Sequence, residues 1–164
     1  MKSIILLFSF VVVALFANEP LISKKKASLS VALPLLKSID KDAIIVGEGL
    51  IDVYAFIDPV CPRSREFVSM IIENDKMRER YRYHFFFYEL GRFHSQGMIA
   101  KIYSEKDPLS IMKKVMIEEE NISALTSFSS KITKKIENIS EIAMKLDINK
   151  RPYLFVVKPE KGSE

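Results

Sequence analysis

The run Ile51-Asp52-Val53-Tyr54-Ala55-Phe56-Ile57 passes through Asp58-Pro59-Val60-Cys61 straight into a helical period that begins at Pro62. Beyond that turn Phe67, Met70, Ile71 and Asn74 recur at i, i+3, i+4 and i+7, with Val68 and Ile72 widening the stripe. A β-rich segment followed at once by an amphipathic one predicts a strand that hands over to a helix, with Cys61 at the helix start. The chain around it must therefore form an α/β layer structure.

The flanking segments extend this order. Ala43 to Val46 is a second β-rich run, separated from Ile51 by Gly47-Glu48-Gly49, which predicts a hairpin turn with positive-φ glycines. Leu21 to Lys41 fits neither period, and a helix is expected to begin near Pro34. Tyr81 to Leu90 predicts a buried strand with Tyr83, Phe85 and Phe87 on one face and His84, Phe86 and Tyr88 on the other, closed by Gly91. Met98, Ile99, Ile102 and Tyr103 predict one helix, and Asp107-Pro108 caps a second carried by Leu109, Met112, Val115 and Met116. Ile132, Ile136, Ile139, Ala143 and Leu146 predict a longer helix that stops before Arg151-Pro152, after which Tyr153 to Val157 forms the last strand.

Composition limits what such a chain can do. With 164 residues, 48% apolar and 28% charged, it supports one domain with an ordinary core, which excludes disorder and repeat arrays. The net charge of +4 is spread along the chain rather than gathered into an arm, so no nucleic-acid partner is expected. Met1-Lys2, the apolar run Ser3 to Phe16 and the small Ala17 read as a secretory signal peptide, residues 1–17. That run is short of the ~20 residues that cross a bilayer. Residues 18–42 are then an N-terminal extension and 43–164 the domain, exported to the periplasm. Cys61 is the one cysteine, so any disulfide the protein makes joins it to another molecule.

The segments Phe56-Ile57-Asp58-Pro59-Val60-Cys61-Pro62-Arg63-Ser64 and Lys150-Arg151-Pro152-Tyr153 together resemble the thioredoxin superfamily, most closely the catalytic domain of the periplasmic DsbC/DsbG disulfide isomerases. The resemblance covers Ala43 to Lys158. It implies a thioredoxin-like α/β fold with helices inserted between the central strand and the last long helix, Cys61 as nucleophile, and Pro152 as the cis-proline beside the sulfur. Two features depart from the family: Ser64 stands where the second cysteine would be, and residues 18–42 are too few for a separate dimerisation domain.

At a helix N-terminus, with Arg63 and Arg65 close by, a thiolate is favoured over the thiol. Such a sulfur could attack a disulfide, but Ser64 has no sulfur to expel the product. A second substrate thiol, glutathione or a membrane reductase must resolve it. The expected function is monothiol exchange, by isomerisation or reduction, on disulfides and thiols of other exported proteins. Cys61 and Ser64 would be catalytic, Ser64 by hydrogen bonding to the sulfur, and Pro62, Arg63, Arg151 and Pro152 would bind substrate. The rival expectation is a catalytically degenerate binding or assembly module of the same fold, chaperone-like and without turnover. No cofactor is expected, and Cys61, His84 and His94 lack metal-ligand spacing. His84 is read as a packed core histidine, and His94 and Glu89 as solvated loop groups. The oligomeric state stays open.

Overall fold

The computed structural model describes residues 27–159. The expected signal peptide lies outside them. The first helix, α1 (Leu29–Ser38), puts Ala32 and Leu36, one turn apart, into the core. The expected start near Pro34 is corrected: Pro34 lies inside the helix, on its exposed side. Proline at that position removes one intrahelical bond, to the carbonyl of exposed Ser30.

One mixed sheet holds β1 (Ile44–Val46), β2 (Ile51–Ile57), β3 (Tyr81–Phe87) and β4 (Tyr153–Val157) in the order β1-β3-β2-β4. The β2 and β3 strands run parallel with Phe56 beside Phe86, while β1 and β4 flank them antiparallel, Ile44 beside Phe85 and Phe56 beside Tyr153. The expected hairpin between β1 and β2 is therefore corrected, because β3 lies between them. The glycines serve a different need. Gly47 has φ +86°, and a Cβ on Gly49 would strike the Arg80 and Tyr81 backbone, so they let the connection press against the start of β3, where Glu48 N–H donates to the Arg78 carbonyl at 2.9 Å.

Central position explains the run of apolar side chains in β2 and β3. Val53 to Ile57 and Tyr83 to Phe87 are buried without alternation, as strands covered on both faces must be. On one face Phe67 of α2 (Pro62–Ile72) meets Tyr83 and Phe85 edge-on at 6.2 and 6.3 Å. Phe87 on the same face meets Tyr103 of α4 (Gln96–Ser104) at 5.7 Å. On the other, Tyr54 stacks on His84 at 4.5 Å. His84 is the packed core histidine expected, bonded through Nδ1 to Asp40 at 2.6 Å and through Nε2 to Asp52 at 3.1 Å. Burial works against the Asp52 carboxylate, yet hydrogen bonds from Arg82 and His84 outweigh it and hold Asp52 below the usual carboxylate range.

Three details differ from expectation. The buried stripe of α2 is Ser64, Val68 and Ile71, while Met70 is 48% exposed. Asn74 leaves the helix and caps α3 (Asp75–Arg80) by accepting from Met77 N–H at 3.2 Å. That helix buries no residue, so it carries no hydrophobic period to read. The strand expected to reach Leu90 ends at Phe87, and Tyr88 to Leu90 join the loop that follows. The inserted pair, α4 and α5 (Pro108–Met116), and the long α6 (Ser130–Lys145) stand where their periods place them. Asp107 accepts from Ser110 N–H at 3.1 Å as the cap of α5.

The buried tyrosines make alkaline stability a testable consequence. Burial, reinforced by Asp40 and Asp52, pushes Tyr54 up to about 12, and burial beside Tyr81 pushes Tyr83 up to about 12. Tyr103, fully enclosed, is raised further. An acid whose folded pKa lies above its unfolded value of about 10 keeps its full stabilising effect below pH 10 and loses it as pH climbs toward 12. Urea unfolding should therefore have a lower midpoint at pH 11 than at pH 8, and equal midpoints would contradict this packing.

Candidate functional site

The handover from β2 to α2 is built around Asp58. This carboxylate is fully buried, and its Oδ1 accepts from Val60 N–H at 2.9 Å. Its Oδ2 accepts from Leu90 N–H and from the Ser95 hydroxyl, each at 2.8 Å. The first bond closes the turn that leads to Cys61, and the other two tie that turn to the loop between β3 and α4. Sequence reasoning assigned Asp58 no role. The available signal was a carboxylate at a strand end three residues before a helix-capping position, an arrangement suited to an Asx turn.

Cys61 is the N-cap residue of α2, with extended backbone (φ −73°, ψ 120°), and Pro62 occupies the first helical turn. Pro at that position costs no hydrogen bond, because its N–H would have no partner in the helix. The Cys61 side chain caps nothing, which leaves the sulfur free of a local backbone bond. It is 3% exposed, so the cysteine is buried rather than open to solvent. The cysteine forms part of the wall of a cleft of about 410 Å³.

Three segments converge on that cleft. Cys61, Pro62 and Arg63 come from the start of α2, Leu90, Arg92 and Phe93 from the loop after β3, and Asn149, Lys150 and Arg151 from the approach to β4. Arg151 joins Pro152 through a cis peptide bond, as the family resemblance implied. Of the residues predicted to act, Cys61, Pro62, Arg63 and Arg151 thus share one cleft, and Pro152 is bonded directly to it.

Ser64 is not among the residues that line the cleft. It is fully buried, and its hydroxyl oxygen accepts from Asp58 N–H at 3.2 Å. Arg65 also turns away: its Nε donates to the Pro59 carbonyl at 2.8 Å and its guanidinium pairs with Glu119. Only Arg63 of the two motif arginines borders the cleft. His94 is exposed, in left-handed backbone at φ 48°, and is not among the residues that line it.

Arg151 is 5% exposed and its guanidinium is committed to the protein. It donates to the carbonyls of Tyr88 at 2.8 Å, Lys150 at 2.8 Å and Glu89 at 3.3 Å, and lies 3.9 Å from the centre of the Tyr88 ring. Burial lowers it to about 10, with Tyr88, Asp58 and Cys61 opposing that fall, so it still carries its charge at neutral pH. The residue staples the end of β3 to the start of β4. Among the described residues no cluster of three His, Cys, Asp or Glu side chains is placed to hold a metal ion.

No protein-family profile matches this chain, and no curated protein does. Solved structures do resemble it. Proteus mirabilis ScsC in a transitional conformation superposes with TM-score 0.63 at 15% identity over 78% of this chain and 68% of that one. Helicobacter pylori DsbG gives 0.59 at 18%, over 77% of this chain and 61% of its own length. The thiol-disulfide exchange protein α-DsbA2 from Wolbachia pipientis gives 0.54 at 11%, over 77% and 85%. The fold is thus thioredoxin-like α/β, with helices inserted between the central strands and the last long helix.

Proposed function

We propose that this protein is an exported, monothiol thiol-disulfide exchange protein that shuffles or reduces disulfides of other periplasmic proteins through Cys61. The observation that carries the reading is the placement of Cys61 at the N-cap of an 11-residue helix, in the wall of a cleft that Arg151, cis-linked to Pro152, also lines. The first-turn N–H groups of that helix have no partner within it. The neighbouring backbone offers a docking edge for an extended substrate segment.

The step balances without a cofactor. The Cys61 thiolate attacks one sulfur of a substrate disulfide, that S–S bond breaks, and the mixed disulfide forms as the other substrate sulfur leaves as thiolate. If a second substrate thiolate attacks the mixed disulfide, Cys61 is regenerated and no net electrons move. If two glutathione molecules supply the thiols in turn, the substrate gains two electrons and glutathione disulfide forms. Ser64 provides no internal resolving thiol, so the mixed disulfide persists until one of these arrives.

That persistence tests the proposal. Wild-type protein incubated with a peptide disulfide and no other thiol should accumulate a one-to-one adduct at Cys61, seen by mass spectrometry and by non-reducing gels. Ser64→Cys should shorten the adduct's lifetime at least tenfold, because the new thiol at the fourth position of the motif expels the peptide and closes an internal disulfide. Absence of any wild-type adduct would refute exchange. The second reading, a binding module without turnover, is favoured by the 3% exposure of Cys61, and it predicts that absence.

A further inference from the structure

Among the described residues, the cleft beside Cys61 is bordered by four cationic side chains, Arg63, Arg92, Lys150 and Arg151, and by no carboxylate. Arg151 is buried and bonded to carbonyls, but Arg63, Arg92 and Lys150 are exposed around the opening. Among the described residues none of those three has an acidic partner within ion-pair distance. Arg92 lies over the Phe93 ring at 4.8 Å. Of the nearby acids, Asp58 faces inward to Val60, Leu90 and Ser95, Glu119 pairs with Arg65, and Glu89, beside Leu90, gives its carbonyl to Arg151 without its side chain lining the cleft. Like charges around a concave opening repel one another, and an anionic occupant relieves that repulsion while approaching the sulfur.

We propose that this cleft selects polypeptide segments whose cysteine is flanked by aspartate or glutamate, with Arg63 and Lys150 as the specificity-determining residues on opposite sides. This rests on the exchange reading, whose substrate class it names. The flanking carboxylates meet Arg63 at the helix start and Lys150 before β4, and Leu90 and Phe93 supply apolar contact between them. Exposed ion pairs are individually weak, so the preference over neutral flanks amounts to roughly tenfold at low salt and shrinks as salt is added.

The test uses Cys61→Ser full-length protein, which removes covalent chemistry, and three fluorescent decapeptides that differ only in having acidic, neutral or lysine flanks around a central alkylated cysteine. Fluorescence anisotropy should show the acidic peptide binding about tenfold more tightly than the neutral one at low salt. Arg63→Glu with Lys150→Glu should reverse the ranking in favour of the lysine peptide, with an unchanged circular dichroism spectrum as the control for folding. Equal binding of all three peptides, or displacement of the acidic one by an equal concentration of free glutathione, would overturn the assignment. The two readings fail separately. Acidic binding to Cys61→Ser with no adduct on the wild-type protein sinks exchange alone. Adducts forming at one rate with all three peptide disulfides sink the acidic selectivity alone.

Discussion

Cys61→Ala should reduce catalysed refolding of scrambled ribonuclease to the rate set by the glutathione buffer alone, with the fold intact. The substitution removes the only thiol, and no other side chain can form the mixed disulfide. The loss is therefore complete rather than graded, in contrast to a residue that merely orients a reactant. Its structural cost is small. Cys61 makes no cap bond, and alanine at an N-cap whose side chain caps nothing forfeits only the packing of one small group. Thermal unfolding should thus stay close to that of the wild type while activity disappears. A variant that retains wild-type turnover above the glutathione background would show that the activity belongs elsewhere.

Asp58→Ala should produce the largest loss of stability of any single change at the site. Truncation leaves the part-buried Val60 and Leu90 N–H groups and the buried Ser95 hydroxyl without their acceptor. It also removes an anion that supports the buried Arg151 charge. Orphaning groups of this kind costs about 3–5 kcal/mol, a large share of the ~5–15 kcal/mol that holds a domain together. Asp58→Asn keeps the shape and one carbonyl oxygen, but its NH₂ opposes a donor, so its cost should fall between the two, at about 1–3 kcal/mol. Urea denaturation of the three proteins at neutral pH measures both steps. A loss below about 1 kcal/mol for alanine would mean the carboxylate does not tie the turn to the loop.

Much of this architecture is legible in the chain. The change of period at Cys61, the aromatic density that opens at Tyr81 and the stripe from Ile132 to Leu146 each report burial on one element, and each element is present, with the strand from Tyr81 ending at Phe87 rather than Leu90. What escaped reading is the pairing between elements. Nothing local in Ala43 to Ile57 says that β3 enters between its two strands, since the partner lies beyond α2 and α3. Gly47 and Gly49 looked like a hairpin turn because close backbone approach and tight turning both need a missing Cβ. The site followed the same rule. Cys61, Pro62 and Arg63 were visible as neighbours in sequence. The bonds of Asp58 to Leu90 and Ser95, and of Arg151 to Tyr88 and Glu89, join segments that only folding brings together.

The sulfur's burial makes one question decisive: whether Cys61 reacts in the folded protein through the cleft or only after unfolding. Labelling with iodoacetamide across increasing urea, well below the unfolding midpoint, answers it, because the single cysteine gives one rate with no competing site. A cleft-borne thiolate predicts fast labelling in the absence of urea that barely changes as urea is added, and that is slowed at least tenfold by an acidic peptide seated between Arg63 and Lys150. A rate that is near zero in the native protein and climbs in step with the unfolded fraction would contradict the account, and would leave Cys61 an interior packing residue.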